Sequence, residues 1–198
     1  MKEVFLNSSI TLISKKKKYS NDDIEIIKYG LEALYLTITK TIIIFSLAYF
    51  LGIVKEVIML LLTYNIIRAQ AFGLHASKSI YCLISSIISF IGGAYLCKYL
   101  TLPNWIIIVT SIICVILLFL YAPADTHKRP LINTKKRKKF KFLSVTFGII
   151  YTIIIILFIK FPITNFLLIG MILEVIMILP ITYKIFNLPY NNYKNYGV

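Results

Sequence analysis

The chain has 198 residues, of which 59% are hydrophobic and only 15% charged, whereas a soluble domain carries about 45–50% apolar and about 25% charged residues. Its mean hydropathy of +0.82 and its recurring apolar blocks, several near the roughly 20 residues that span a hydrocarbon layer, exclude a soluble enzyme, a disordered chain and a secreted disulfide scaffold. The net charge of +14 then belongs to membrane-flanking Lys and Arg rather than to a nucleic-acid surface, since the apolar runs leave no soluble domain to read bases.

Residues 1–30 read as an amphipathic helix on the membrane surface. Val4, Phe5, Ile10, Ile13, Ile24 and Ile27 alternate with lysines, and Ser20-Asn21-Asp22-Asp23 carries a helix-start pattern. Lys2, Lys15–Lys18, Asp22 and Asp23 interrupt any apolar core, so no cleavable signal peptide is expected. Apolar segments follow at 31–51, 57–72, 79–98, 104–122, 142–160 and 164–183, separated by Gly52, the 73–78 stretch, Pro103, a basic loop at 123–141 and Pro162. The expected fold is an all-α integral membrane protein with about six transmembrane helices in a 31–184 membrane domain, followed by a short tail at 185–198. The second span is the weakest, because Asn65 and Arg68 lie within it.

With the N-terminus inside, nearly every Lys and Arg outside the spans falls on the cytoplasmic side, and only Lys55, Lys98 and Lys160 fall on the other. The positive-inside rule therefore predicts that both termini face the cytoplasm. No fixed-period repeat or inverted pair of broken helices is present to suggest a secondary transporter.

Chemistry concentrates between spans two and three, in Arg68-Ala-Gln-Ala-Phe-Gly73-Leu-His75-Ala-Ser-Lys-Ser-Ile-Tyr-Cys82. Imidazole can take a thiol proton and the thiolate can attack a carbonyl, so a His–Cys pair is a sufficient nucleophilic unit. On a continuous helix the seven-residue separation would rise about 10.5 Å, beyond the roughly 3 Å of hydrogen-bond reach. If His75 and Cys82 act together, residues 73–78 must leave the helix, and Gly73 and the polar Ser77-Lys78 permit that. The plain alternatives are that Cys82 fills space as a small apolar residue, that Arg68 is a snorkelling anchor, and that Gly73 is a turn. Cys97 and Cys114 read as fillers; the three cysteines form no CxxC pair or metal-ligand set, and no cofactor is expected.

The basic loop holds Tyr121-Ala-Pro-Ala-Asp-Thr-His127-Lys128-Arg129-Pro-Leu131, then Lys135-Lys-Arg-Lys-Lys139. It reads as a stop signal on anionic lipid, or as a surface that holds an acidic peptide. His127 is the weaker base, because neighbouring cations disfavour its protonated form. Two acids sit at membrane depth, Glu32 and Glu174; the reading for Glu174 is a structural bond to Lys40 or to another polar group.

Arg68…Gly73-Leu-His75-Ala…Cys82 resembles the signature of the accessory gene regulator protein B (AgrB) family, membrane cysteine endopeptidases of peptide quorum sensing. Residues 121–130 resemble the family's cytoplasmic loop. Gly-Met-Ile-Leu-Glu-Val…Leu-Pro (170–180) resembles its last span, so the likeness covers nearly the whole chain. The resemblance implies Cys82 as nucleophile and His75 as general base, with Arg68 and Gly73 in supporting positions and Lys128 and Arg129 on the substrate side. It implies a short AgrD-like precursor as substrate and a homodimer in the cell membrane. The implied reaction releases the precursor's C-terminal tail through an acyl-enzyme thioester and closes a thiolactone or lactone ring. The other class of reading is a non-enzymatic small peptide exporter or an oligomeric scaffold. Leu74 after Gly73 and Asp125 in the basic loop depart from the pattern and bear on peptide selectivity.

Overall fold

The computed structural model describes residues 6, 8–11, 13, 21–74, 79–126 and 130–196. Among them the regular elements are helices and no strand forms. The chain divides into two compact units, residues 1–47 and 48–198.

Helix α1 covers Asn21–Phe50 and holds most of what is described of the first unit. It passes residue 30 without a break. The surface-helix expectation for residues 1–20 falls largely outside the described residues.

In the second unit, α2 spans Val54–Ala71. A helical run from Ser79 to Tyr99 follows, composed of α3 (Ser79–Ile87), a π-helical segment (Ile88–Gly92) and α4 (Gly93–Tyr99). Helix α5 spans Asn104–Tyr121 and begins directly after Pro103, whose fixed φ suits a helix start. Helix α6 spans Thr134–Leu157, and its Asn133 side chain caps the helix by accepting the Lys136 N–H at 3.1 Å. Helix α7 spans Ile163–Ile178, α8 spans Pro180–Ile185, and a 3₁₀ turn covers Asn192–Tyr196.

Among the described residues, four helical stretches are long and apolar enough to cross a membrane: Gly30–Phe50, Ile80–Tyr99, Asn104–Tyr121 and Thr134–Leu157. Of the other two expected spans, α2 carries Lys55, Glu56 and Arg68, and α7 is apolar but shorter. The protein is an all-helical membrane protein. Large apolar side chains stand outward, such as Leu62 on α2, Ile116 and Phe119 on α5 and Ile153 on α6, as hydrocarbon contact requires.

Helix α7 is the centre of the second unit. It is buried on nearly all sides and packs against α2, α4, α5 and α6, which is how a helix apolar all round is accommodated. Its closest neighbour is α2. A Cβ on Gly170 would stand 2.9 Å from Thr63 Oγ1 and 3.2 Å from the Tyr64 nitrogen, so the small residue lets the two backbones approach. The Thr63 hydroxyl donates to the Phe166 carbonyl at 3.0 Å, and Tyr151 of α6 donates to the Thr63 carbonyl at 2.9 Å. These bonds fix α2, α6 and α7 in register.

Candidate functional site

Helix α2 ends where the sequence anticipates a break. Phe72 and Gly73 both have positive φ, 63° and 101°, and the chain continues non-helically through Leu74. Three carbonyls and amides from distant segments take over the backbone bonding. The Ala124 N–H donates to the Ala71 carbonyl at 2.9 Å, and the Gly73 N–H donates to the Ala124 carbonyl at 2.7 Å. Phe72 and Ala124 thereby pair as an isolated parallel bridge. On the other side, the Leu74 N–H donates to the Met177 carbonyl at 2.9 Å.

The Met177 carbonyl is available because α7 stops there. Pro180 has no N–H to offer the Ile176 carbonyl, which accepts the Thr182 hydroxyl instead. Leu179 is extended, at ψ 137°, and turns the chain out of the helix. The proline that closes α7 thus exposes a backbone acceptor for the stretch that precedes His75.

Arg68, in the last turn of α2, satisfies what remains. Its Nη2 donates to the Gly73 carbonyl at 3.1 Å and to the Leu74 carbonyl at 2.8 Å, while Nη1 lies 3.5 Å from Glu174 Oε2 on α7. The arginine side chain is 14% exposed and the glutamate side chain fully buried. Planar guanidinium geometry allows one side chain to hold both backbone oxygens and a carboxylate. The partner of Glu174 is therefore Arg68, a structural bond of the kind expected. Gly73 is required by space as well as by φ: a Cβ there would overlap the Arg68 Nη1 and stand 2.9 Å from the Met177 oxygen.

Cys82 is half-buried in the first turns of α3, and its carbonyl accepts the Ser85 hydroxyl at 3.1 Å. Tyr64 stands one turn before Arg68 on α2, with its hydroxyl close to the Glu174 carboxylate. A small cavity of about 40 Å³ lies beside it, lined by Tyr64, Ser85, Ser86, Phe90, Leu173 and Met177. His75 belongs to residues 75–78, which lie outside the described residues. Cys97 and Cys114 are buried. Cys97 faces the Asn165 carbonyl at 3.6 Å, while Cys114 belongs to the hydrophobic core, as fillers would. No cluster able to hold a metal occurs among the described residues.

The second polar region surrounds Asp125. Its carboxylate accepts three backbone N–H groups: Leu131 at 3.3 Å, Asn192 at 3.0 Å and Tyr193 at 2.8 Å. Its carbonyl accepts the Tyr183 hydroxyl at 3.0 Å. This buried acid docks the C-terminal segment onto the loop after α5. A cavity of about 500 Å³ opens beside it, lined by Tyr121, Arg137, Lys138, Lys141, Tyr190 and Tyr193 among others. The Arg137 guanidinium lies 3.3 Å from the centre of the Tyr193 ring, a cation–π contact. Burial pushes the Tyr190 hydroxyl up to about 12; Tyr121, Tyr193 and Asp125 push the same way and Arg137 opposes. His127, Lys128 and Arg129 lie outside the described residues.

Sequence reasoning singled out Arg68, Gly73 and Cys82 but not Tyr64, and it took Asp125 for an interruption of the basic loop. One signal for Asp125 was present, an acid standing alone between Ala124 and a cationic run.

A model of the family described as Accessory gene regulator B matches residues 6–178. A protein of Clostridium acetobutylicum called AgrB-like is 37% identical, over 94% of this chain and 90% of its own length. An AgrB-like protein of Listeria innocua is 32% identical, over 86% of this chain and 83% of its own. The accessory gene regulator protein B of Staphylococcus aureus is 32% identical, over 86% and 89% respectively. No solved structure matches. A match that runs from before α1 to the last residue of α7, with relatives alike over most of their length, establishes that this chain belongs to the accessory gene regulator B family.

Proposed function

We infer that the protein is a membrane cysteine endopeptidase that processes an AgrD-type precursor, with Cys82 as nucleophile and His75 as general base. The observation that supports this best is the interruption between α2 and α3. A continuous helix would hold the two residues about 10.5 Å apart along its axis. Instead α2 stops at Ala71, Gly73 and Leu74 leave the helix and are bound on both sides, and Cys82 lies on the next described helix, Ser79–Ile87. Irregular backbone at membrane depth is stable only where protein or water satisfies it, and here Ala124, Met177 and Arg68 do so.

In the proposed reaction, His75 takes the Cys82 thiol proton and Sγ adds to the carbonyl carbon at the end of the future signal. The C–N bond breaks, the leaving amine receives the proton from His75, and the charged C-terminal tail departs. A thiol or hydroxyl of the same peptide then loses its proton to His75 and attacks the thioester. Cys82 leaves as thiolate and is reprotonated, and the peptide leaves as a thiolactone or lactone. Exchange of one thioester for another is nearly balanced, so the site must exclude water; half-burial of Cys82 suits that. The site would face the cytoplasm, where positive-inside counting puts it. The precursor's acidic tail would meet the cationic cleft of Arg137, Lys138 and Lys141 together with Lys128 and Arg129. As in the family reading, the working form would be a homodimer.

Intact mass spectrometry of lipid-reconstituted protein with a synthetic AgrD-type precursor tests this. The expected result is a mass gain equal to the N-terminal peptide fragment, mapped to Cys82 and lost in Cys82→Ala. No adduct and no tail release from folded wild type would transfer the assignment to a peptide exporter or scaffold.

A further inference from the structure

Glu174 is buried in the middle of the second unit and touches none of the residues proposed to react. Its Oε2 faces Arg68 at 3.5 Å, and its Oε1 has no hydrogen-bond partner among the described residues. A buried ion pair contributes little net stability, because desolvation offsets most of the attraction. The structural consequence of this pair is where it puts the guanidinium. Arg68 lies directly against Gly73, where a Cβ would overlap its Nη1. In that position Nη2 reaches two successive carbonyls, Gly73 at 3.1 Å and Leu74 at 2.8 Å. The next residue in the chain is His75.

The same helix fixes the same stretch a second time. Glu174 and Met177 lie three positions apart on α7. Met177 takes the Leu74 N–H at 2.9 Å, while Glu174 holds the arginine that takes the Leu74 carbonyl. Leu74, the last described residue before His75, is therefore bound at its N–H by α7 directly and at its carbonyl by Arg68, which α7 holds through Glu174.

We propose that Glu174 is a positioning residue for the peptidase reaction: through Arg68 it holds Gly73 and Leu74, the residues that immediately precede the proposed base His75. This rests on the peptidase reading given above. A purely structural glutamate would matter for folding. A positioning glutamate matters for the rate of the chemical step once the peptide is bound.

The test uses full-length protein in liposomes, a synthetic AgrD-type precursor, and steady-state release of the C-terminal tail. Glu174→Gln keeps the shape and removes the charge that orients Arg68. Arg68→Lys keeps the buried charge opposite Glu174, but a single ammonium cannot span the carboxylate and both carbonyls. Both variants are expected to lower kcat about a hundredfold, the scale of a displacement of roughly 1 Å in a catalytic group. KM should stay within about twofold, since peptide binding is not what is removed; the thermal unfolding midpoint should fall in Glu174→Gln, which leaves the Arg68 charge without its carboxylate, and be retained in Arg68→Lys. Wild-type kcat in Glu174→Gln, with Cys82→Ala inactive, would overturn the role of Glu174 and leave the peptidase standing. Tail release by Cys82→Ala at the wild-type rate would remove the peptidase reading and this inference with it. Loss of folded protein in both variants, or a loss confined to KM, would also overturn it by assigning the pair to the fold or to peptide binding.

Discussion

The Asp125 carboxylate accepts the Tyr193 N–H at 2.8 Å although the two residues stand far apart in the chain, and the acid is almost wholly buried. The bond belongs to a set of three, with the N–H groups of Leu131 and Asn192 completing it. Asp125→Ala strands those donors, and each buried donor left bare costs about 1–3 kcal/mol. The expected outcome is release of residues after Leu188 while the helical unit stays folded. Limited proteolysis followed by mass mapping checks it: cleavage near Pro189–Tyr193 should appear in the variant and be slow in the wild type.

Gly73→Ala is expected to abolish processing, because two effects act at one atom. The residue sits at φ 101°, where an L side chain is strained by about 1–3 kcal/mol, and its Cβ would enter the space of the Arg68 guanidinium. Tail release from a synthetic precursor should fall below about a hundredth of wild type. Gly30→Ala is the control: nothing lies within 4 Å of its Cβ position, so it should process normally.

Reversal of the cleft charges offers a third prediction. Replacing Arg137, Lys138 and Lys141 together with Glu should raise the KM for a precursor with an acidic tail and leave kcat nearly unchanged. Wild-type KM should rise with salt, since the screening length shrinks to about 8 Å at 0.15 M, and the triple variant should lose that dependence. Titrating precursor at two ionic strengths measures both.

Docking of the C-terminal segment should also fail in alkali. Burial raises the Tyr190 hydroxyl from its ordinary 10 to about 12 in the folded protein. A neutral form favoured by folding gives a contribution that is complete below the unfolded value, here pH 10, and is lost as pH rises through the folded one. Between about pH 10 and 12 the tail should become susceptible to an alkali-tolerant protease, and Tyr190→Phe should move that onset upward.

Much of the fold is written in composition. Apolar runs of membrane length identify the helices from α3 to α7, and Pro103 and Pro162 mark two of the turns between them. The helix ends differ from the apolar runs. Helix α6 begins at Thr134, ahead of the apolar run at 142, because lysine is a good helix former that hydropathy scores as loop. Its cap, Asn133, is the residue that signals the start. Helix α1 passes through the expected boundary at residue 30 for the same reason, its early polar residues being compatible with helix.

The site divides along similar lines. Gly73 gives away the break after α2, since a glycine between apolar residues has few other uses. What satisfies the break was not legible. Ala124 and Met177 contribute through their backbones, which carry no residue signature. The docking role of Asp125 was not legible either, because its partners are backbone N–H groups brought together by the fold. Glu174 was recognisable as an acid in an apolar span, but the identity of its partner depended on helix packing.

The pairing of Phe72 with Ala124 joins the turn that leads to His75 to the loop that leads into the cationic helix α6. Backbone bonds run both ways across it, from Ala124 to Ala71 and from Gly73 to Ala124. A shift of either loop would have to break these two bonds, which tie the turn before His75 to the loop after α5. The two polar regions thus form one mechanical element, a clasp whose two arms are fastened at a single rung.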